Sequence, residues 1–333
     1  MSSRGVKGEA PPSASYRQDA DKCDMLKIMK FEKIGVLVNT NSGCFASGEI
    51  NTEDVKAEFD KYSEYFSNIR FFPTASETLT AQLKQLKEFN PDLAVAAGGD
   101  GTVGALIDSF PAEKIPIAII PCGTFNHFAS DAGVPLEMKA SVAAAFSGSL
   151  EKLDAASVNG RLFINNSSIG LYPHSVEVRE NLEKKYGHNR WLFLILAFSR
   201  IFTRFPVYKV TLKINGREEK HITSSLFVGN NKYEVELLKF GSRESLKDGK
   251  LSLYFSKCRN RWKFLRNAFF LVLGRLEQAE NFELLLVDDV YIQTQKRKVR
   301  VSADGELIRL SPPLRYESLP GAVKIILLKQ EHG

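Results

Sequence analysis

The residues best suited to chemistry stand at Gly98-Gly99-Asp100-Gly101-Thr102, where the apolar run Leu93 to Ala97 ends and the pattern Val103-Gly104-Ala105-Leu106-Ile107 begins. An apolar run closed by glycines and reopened with helical periodicity reads as strand, tight turn and helix start, whose free N–H groups can cradle a phosphate. Glycine lacks the Cβ that would hold a phosphate off the backbone. Asp100 offers a carboxylate to a phosphate-bound magnesium ion or to a hydroxyl proton, and Thr102 adds a hydroxyl beside the helix start. A lone Gly-Gly pair would be explained better by tight-turn geometry, with Asp100 as a cap.

Other loops offer similar groups. Asn39-Thr40-Asn41-Ser42-Gly43 follows the apolar run Ile34 to Val38 and suits a second nucleotide contact or an ordinary polar turn. Pro121-Cys122-Gly123-Thr124-Phe125-Asn126-His127 follows Ile115 to Ile120, as a further nucleotide loop or as a helix start capped by Thr124. Thr74-Ala75-Ser76-Glu77 has capping-box spacing, so Thr74 reads first as a helix cap and second as a nucleotide contact. Asp304-Gly305-Glu306 places two acids at an Asp-Gly pair that by itself is a hairpin turn.

The runs before these loops set the frame. Continuous apolar segments suit strands covered on both faces. Between them, Val55, Phe59, Tyr62 and Phe66 give one helical stripe from Thr52 onward, and Leu79, Leu83 and Leu86 give another. Alternating strands and helices argue a parallel α/β sheet with its ligand at the carboxyl ends of the strands. Beyond Gly148 the pattern changes. Lys209 to Ile214, Asn215-Gly216 and a following strand read as a hairpin, and Leu226 to Val228, Leu251 to Phe255, Phe282 to Val287, Val290 to Gln293 and Lys298 to Val301 continue as strands. Leu314 to Tyr316 and Ala322 to Leu328 read as two more. The second half is thus a mostly antiparallel domain whose apolar interior serves as a plain sandwich core or as a cleft for an acyl chain.

With 333 residues the chain has room for two domains, and its net charge of +6 fits an anionic partner. Cys23, Cys44, Cys122 and Cys258 are scattered without zinc spacing and read as free thiols in a reducing compartment. The first thirty or so residues lack the apolar core of a signal peptide and read as a flexible leader. No run reaches the roughly 18 apolar residues of a membrane span, although Trp191 to Phe198 and Ala268 to Leu273 come partway. Basic residues accompany aromatic ones at Trp191 to Arg204 and Arg259 to Leu273, as in interfacial membrane helices or in amphipathic helices packed on the second domain. The positive charge comes with no nucleic-acid reading motif, so no nucleic-acid partner is expected.

The string Gly98 to Thr102 resembles the GGDGT signature of the diacylglycerol kinase catalytic family, which also embraces sphingosine and ceramide kinases. Gly123-Thr124-Phe125-Asn126-His127 resembles the family's G-T-x-N-D element, with His127 where many members carry aspartate. Asn39 to Gly43 resembles its N-P-x-S-G loop, with Thr40 in place of proline, a change expected to loosen the loop. Asp304-Gly305-Glu306 looks like the D-G-E motif, and Ser245-Leu246-Lys247-Asp248-Gly249-Lys250 like a structural magnesium loop.

The resemblance implies ATP and Mg²⁺, with nucleotide contacts from Asn39, Ser42, Gly43, Thr74, Gly98, Gly99, Asp100, Gly101, Thr102, Gly123, Thr124 and Asn126. It implies Glu306 as proton acceptor, with Asp100 as second candidate, Asp304 facing the phosphates, and magnesium held by Asp248 with the Ser245 and Lys250 carbonyls. The fold implied is α/β plus β: residues 1–30 a leader, 31–150 an N-terminal parallel α/β nucleotide-binding domain, 151–310 a lipid-binding β-sandwich, and 311–333 a return to the first domain. The activity implied is transfer of the γ-phosphate of ATP to a lipid alcohol of the diacylglycerol or sphingoid type, by a cytoplasmic protein peripherally bound to the membrane surface. NAD kinase, with a related fold and a GGDG turn, is one alternative, although its asparagine-acid pattern is missing. A catalytically silent lipid- or anion-binding module is the other.

Overall fold

A computed structural model describes residues 28–75, 77–110, 115–171, 173, 207–233, 243, 245–256, 262 and 282–328. Residues 1–27 of the expected leader and the basic aromatic stretches, apart from Trp262, lie outside the described residues. Met29 is tied by its N–H to the Phe146 carbonyl, 2.8 Å away.

Four strands, β1 (Phe31–Val38), β2 (Phe66–Pro73), β3 (Leu93–Gly98) and β4 (Ile117–Pro121), pair in parallel in the order β2-β1-β3-β4. Every residue of β3 and β4 is buried, because alternate side chains enter separate cores on the two faces. On one face Leu37, Ala94, Ala96, Ile117 and Ile119 meet α3 (Leu79–Phe89) and α4 (Asp100–Ser109). On the other, Val36, Val95, Ala97, Ala118 and Ile120 meet α2 (Thr52–Asp60) and α6 (Met138–Ser147). Two short helices, α1 (Gly43–Ala46) and α5 (His127–Asp131), follow β1 and β4.

Two local expectations change. The stripe read as one helix from Val55 to Phe66 ends with α2 at Asp60. Tyr62 and Phe66 still pack against Phe146, at 4.8 and 6.2 Å between ring centroids, so burial was right and periodicity was not. Thr74 does not cap α3: Thr78 does, accepting the Ala81 N–H at 3.3 Å, while Glu77 takes the Gln85 amide at 2.7 Å.

The last strand, β16 (Leu314–Leu327), is one strand where the pattern read two, with a register shift between Leu319 and Val323 across Pro320-Gly321. Its first half pairs with β13 (Asp289–Thr294), its length pairs with β5 (Ser149–Val158), and Ile325 pairs in parallel with Ile117 of β4. This pair carries the first sheet into the second half, where β8 (Tyr208–Ile214) and β9 (Arg217–Thr223) extend it and β6 (Arg161–Phe163) pairs with β5. Asn215 and Gly216 turn between β8 and β9 at φ of 50° and 77°, as a two-residue hairpin requires.

A second, antiparallel sheet holds β12 (Phe282–Val287), β11 (Leu251–Ser256), β10 (Ser225–Asn230), β7 (Asn166–Gly170), β14 (Val299–Ala303) and β15 (Glu306–Leu310), in that spatial order. Ile169, Leu226, Val228, Leu253 and Val301 from this sheet close a core on Val210, Leu212, Val290, Ile292 and Tyr316 from the first. The architecture is a parallel α/β domain joined to an antiparallel β-sandwich. Among the described residues no helix is long and apolar enough to cross a membrane.

Candidate active site

Three loops meet at the carboxyl edge of β1, β3 and β4, stepped across the sheet by backbone bonds. Asn39 N–H donates to the Ala97 carbonyl, Cys122 N–H to the Gly98 carbonyl and Thr74 N–H to the Val38 carbonyl, each at 2.9 Å. The Asn39 side-chain amide donates to the Thr102 hydroxyl at 2.8 Å, joining the first loop to the start of α4. Its oxygen accepts the Asn41 N–H at 3.1 Å and the Thr74 hydroxyl at 3.3 Å. The Ser42 hydroxyl donates to the Asn39 carbonyl at 2.7 Å. Thr40 tightens this loop: its N–H, which proline would lack, donates to the Thr74 hydroxyl at 3.1 Å. The expected loosening is therefore absent, and Thr74 belongs to this loop.

The glycines stand where backbones nearly touch. A Cβ on Gly98 would lie 2.5 Å from the Thr102 hydroxyl oxygen, one on Gly43 2.7 Å from the Cys122 carbonyl, and one on Gly123 2.5 Å from the Cα of Gly99. Gly101, by contrast, is exposed, and a Cβ there would meet nothing within 4 Å. The start of α4 and the Gly99–Gly123 contact thus bring two loops together where helix N–H groups are free.

Asp100 works across loops. Its carboxylate accepts the His127 N–H at 3.0 Å and the Phe128 N–H at 2.9 Å, capping α5 from outside that helix. Thr124, expected as the cap, is exposed. Asn126, at φ 52°, instead closes its own loop, accepting from Gly123 N–H at 2.8 Å and donating to the Gly123 carbonyl at 3.0 Å. Phe125 is 74% exposed and stacks on His127 at 5.4 Å.

Along α4, Asp100, Gly104 and Asp108 share one face at intervals of about 6 Å, and the β14–β15 turn docks on that face. A Cβ on Gly104 would sit 3.2 Å from Asp304 Oδ2, so glycine there admits the acid. Asp304 and Gly305 turn at φ of 46° and 86°. The Asp304 carboxylate accepts three N–H groups, from Ile164, Asn165 and Asn166, at 2.7, 2.8 and 3.1 Å. Burial nevertheless outweighs these amides and the Arg243 charge, and raises its pKa to about 6. Glu306 is exposed and holds Arg161 at 2.6 Å, while Arg161 Nε lies 3.3 Å from Asp108. Asp304 thus lies about one helical repeat from Asp100, and Glu306 faces the next.

Arg243 links the halves beneath this surface. Its guanidinium donates to Asp131 of α5 at 2.8 Å, the Ile164 carbonyl at 2.7 Å and the Asn165 side chain at 2.8 Å. The rings of Phe128 and Tyr233 flank it at 5.9 and 5.3 Å. Asn230 then bonds the Ile164 and Asp154 carbonyls, and the Asp154 carboxylate accepts Gly249 N–H at 2.7 Å and Gly321 N–H at 2.8 Å. This fastens the Ser245 to Lys250 turn. There Asp248 is exposed, the Lys250 carbonyl accepts Asn231 N–H at 2.8 Å, and the Ser245 hydroxyl accepts Lys247 N–H at 3.0 Å. Among the described residues no group of three or more His, Cys, Asp or Glu gathers to hold a metal ion. Arg161, Asp108, Arg243 and Asp131 escaped sequence reasoning. Asp108 alone left a signal, its eight-residue spacing from Asp100 on one helical face.

Residues 33–158 match the diacylglycerol kinase catalytic domain, and residues 177–327 match the YegS C-terminal NAD kinase beta sandwich-like domain. The chain belongs to the diacylglycerol kinase catalytic-domain family. By family it is a lipid kinase, a phosphotransferase. A protein of Bacillus subtilis (strain 168) named diacylglycerol kinase is 27% identical over 259 residues, 76% of this chain and 83% of that protein. A crystal structure described as a diacylglycerol kinase from Bacillus anthracis strain Sterne shares the fold, with a TM-score of 0.60 at 20% identity over 90% of this chain and 98% of that one. A second structure from the same strain covers 90% of this chain and 96% of its own, with a TM-score of 0.66 at 22% identity.

Proposed function

We propose that this kinase moves the γ-phosphoryl group of ATP, with Mg²⁺, to the hydroxyl of a lipid alcohol of the diacylglycerol or sphingoid type. The observation that carries the reading is the close packing of Gly98, Gly99 and Gly123 at the start of α4, with Asp304 of the β14–β15 turn set against Gly104 further along the same helix. Side chains at those glycines would collide with Thr102 and with the facing loop, so glycine lets the loops close up at the start of α4, where free N–H groups suit a phosphate.

Backbone N–H groups at the α4 start hold the phosphates, with Asn39, Ser42, Gly43, Thr74, Thr102, Thr124 and Asn126 shaping the loops around them. Binding in the cleft between the halves aligns the lipid hydroxyl for in-line attack. Glu306 is the first candidate for taking the hydroxyl proton. Asp100 is second, because both of its oxygens already accept amides of α5. Magnesium, when bound, neutralises charge developing on the transferring phosphoryl group. At the Ser245 to Lys250 turn, the exposed Asp248 carboxylate and the Ser245 and Lys250 carbonyls are hard oxygen donors suited to a structural ion. The Lys250 carbonyl keeps a second lone pair beyond its bond to Asn231. A lipid substrate places the protein at the membrane surface as a peripheral, cytoplasmic enzyme, with domains at 31–150 and 151–310 and a return segment at 311–333.

The test is transfer of labelled γ-phosphate from Mg-ATP into a panel of lipid alcohols in mixed micelles, with NAD as a further acceptor and Asp100→Asn as control. Labelled lipid from the unmutated chain alone supports the reading and names the substrate class. Label in NADP, or in nothing, overturns it.

A further inference from the structure

Cys44 and Cys122 face each other directly behind the phosphate loops. Cys44 lies in α1, next to Gly43, and Cys122 lies between Pro121 and Gly123. The Cys44 N–H donates to the Cys122 carbonyl at 3.2 Å, and Cys44 packs against the apolar cluster that buries Cys122. That contact sets the two backbones side by side, and a disulfide joins residues whose Cα atoms lie about 4.4 to 6.8 Å apart. Cys122 is buried, while Cys44 keeps partial exposure.

We propose that this pair is an oxidation site for hydrogen peroxide, closing to a Cys44–Cys122 disulfide that shuts down the adjoining loops of the α4 start. In the first step the Cys44 sulfur attacks the peroxide, the O–O bond breaks, and Cys44 becomes a sulfenic acid as water leaves. In the second the Cys122 sulfur attacks the Cys44 sulfur, the S–O bond breaks, and a second water carries away the Cys122 proton. Both thiols are oxidised together by two electrons and one peroxide is reduced to two waters. The order follows from access. Burial and the Cys44 contact hold the Cys122 thiol above the ordinary range, leaving Cys44 to react first.

The consequence is geometric. An S–S bond of about 2.05 Å draws the sulfurs well inside hydrogen-bonding distance. The backbones have no slack to absorb this, since a Cβ on Gly43 would already lie 2.7 Å from the Cys122 carbonyl. The loops Asn39 to Gly43 or Gly123 to Asn126 must shift, and both adjoin the start of α4. That functional effect rests on the kinase reading; the disulfide itself does not.

The test uses the full chain carrying Cys23→Ala and Cys258→Ala, treated with hydrogen peroxide and followed by intact mass, non-reducing peptide mapping and phosphoryl transfer. Expected are loss of two hydrogen masses, one linked Cys44–Cys122 peptide, and a fall in transfer of roughly ten- to a hundredfold, restored by a dithiol. Adding Cys44→Ala abolishes the linked peptide and preserves transfer under peroxide. Absence of the linked peptide, or equal inactivation of the Cys44→Ala variant, overturns the proposal, and a linked peptide with unchanged transfer overturns its regulatory half. If the untreated chain transfers no phosphate, the kinase reading fails while the peptide map still decides whether the oxidation site exists.

Discussion

At the carboxyl edge of β1, β3 and β4 the contacts are made by backbone. Gly99 and Gly123 touch, and loops are stitched by N–H to carbonyl bonds between neighbouring strands. Where the two halves meet the contacts are made by charge: Asp304 gathers three amides, Arg243 reaches four partners, and Arg161 sits between Asp108 and Glu306. The difference separates two tasks. A phosphate is best held by amides that come close and cost no desolvated charge. Holding two domains in one orientation needs directional bonds between distant segments, which buried charged groups supply.

The largest effects should come where the two chemistries meet. Asp100→Asn and Glu306→Gln are each expected to lower kcat by roughly a thousandfold or more with an unchanged circular dichroism spectrum; full activity in either removes that residue from proton transfer. Next comes Arg243→Met, which strands the buried Asp131 carboxylate and should cost about 3 to 5 kcal/mol in urea unfolding. A loss below 1 kcal/mol would mean that charge does not hold the halves together. Gly123→Ala tests the opposite side. Its Cβ would press on the Gly99 Cα at 2.5 Å, so transfer should fall about a hundredfold while stability drops only about 1 to 3 kcal/mol.

Asp304 gives a smaller effect with a definite sign. Its folded pKa of about 6 exceeds an aspartate's ordinary 3.8, so between those values the folded chain binds a proton that the unfolded chain has released. Its contribution to stability therefore decreases as pH rises through that window and is level above it. Relative to Asp304→Asn, the wild-type urea midpoint should fall between about pH 4 and about pH 6, and parallel midpoints would refute the buried-acid account. The smallest change belongs to Arg161→Met. Its pair with Glu306 is half exposed, with side chains 41% and 52% accessible, so stability should move by less than about 1 kcal/mol, while a change in kcat reports on how Arg161 holds Glu306 and Asp108.

Much of the first region was legible because local rules govern it. Val36, Ala97 and Ile120 alternate with Leu37, Ala96 and Ile119 between two covered faces, so each run reads as a buried strand, and the glycines mark where each run turns. Asn215-Gly216 and Asp304-Gly305 likewise announce hairpins through their need for positive φ. Where two local rules compete, spacing alone misleads. Thr74 and Thr78 both precede α3 with a hydroxyl, and only the position of Asn39 and Thr40 draws Thr74 into the first loop. β5 went unread because its polar alternation, with Glu151 and Asp154 among small residues, makes sense only beside β16.

By itself the sequence determined the alternating strands and helices, the glycine turns, the hairpins and the acids of the D-G-E motif, because each depends on neighbours within one or two turns of chain. Tertiary structure alone decided that Asp100 caps α5, that Asp304 rests on Gly104, and that Arg243 joins Asp131 to the sandwich. Those contacts link residues from 27 to 200 positions apart (Asp100 to His127, Gly104 to Asp304). No local periodicity encodes such a separation; it is set when β5 and β16 carry one sheet from the first half into the second and bring the β14–β15 turn onto α4.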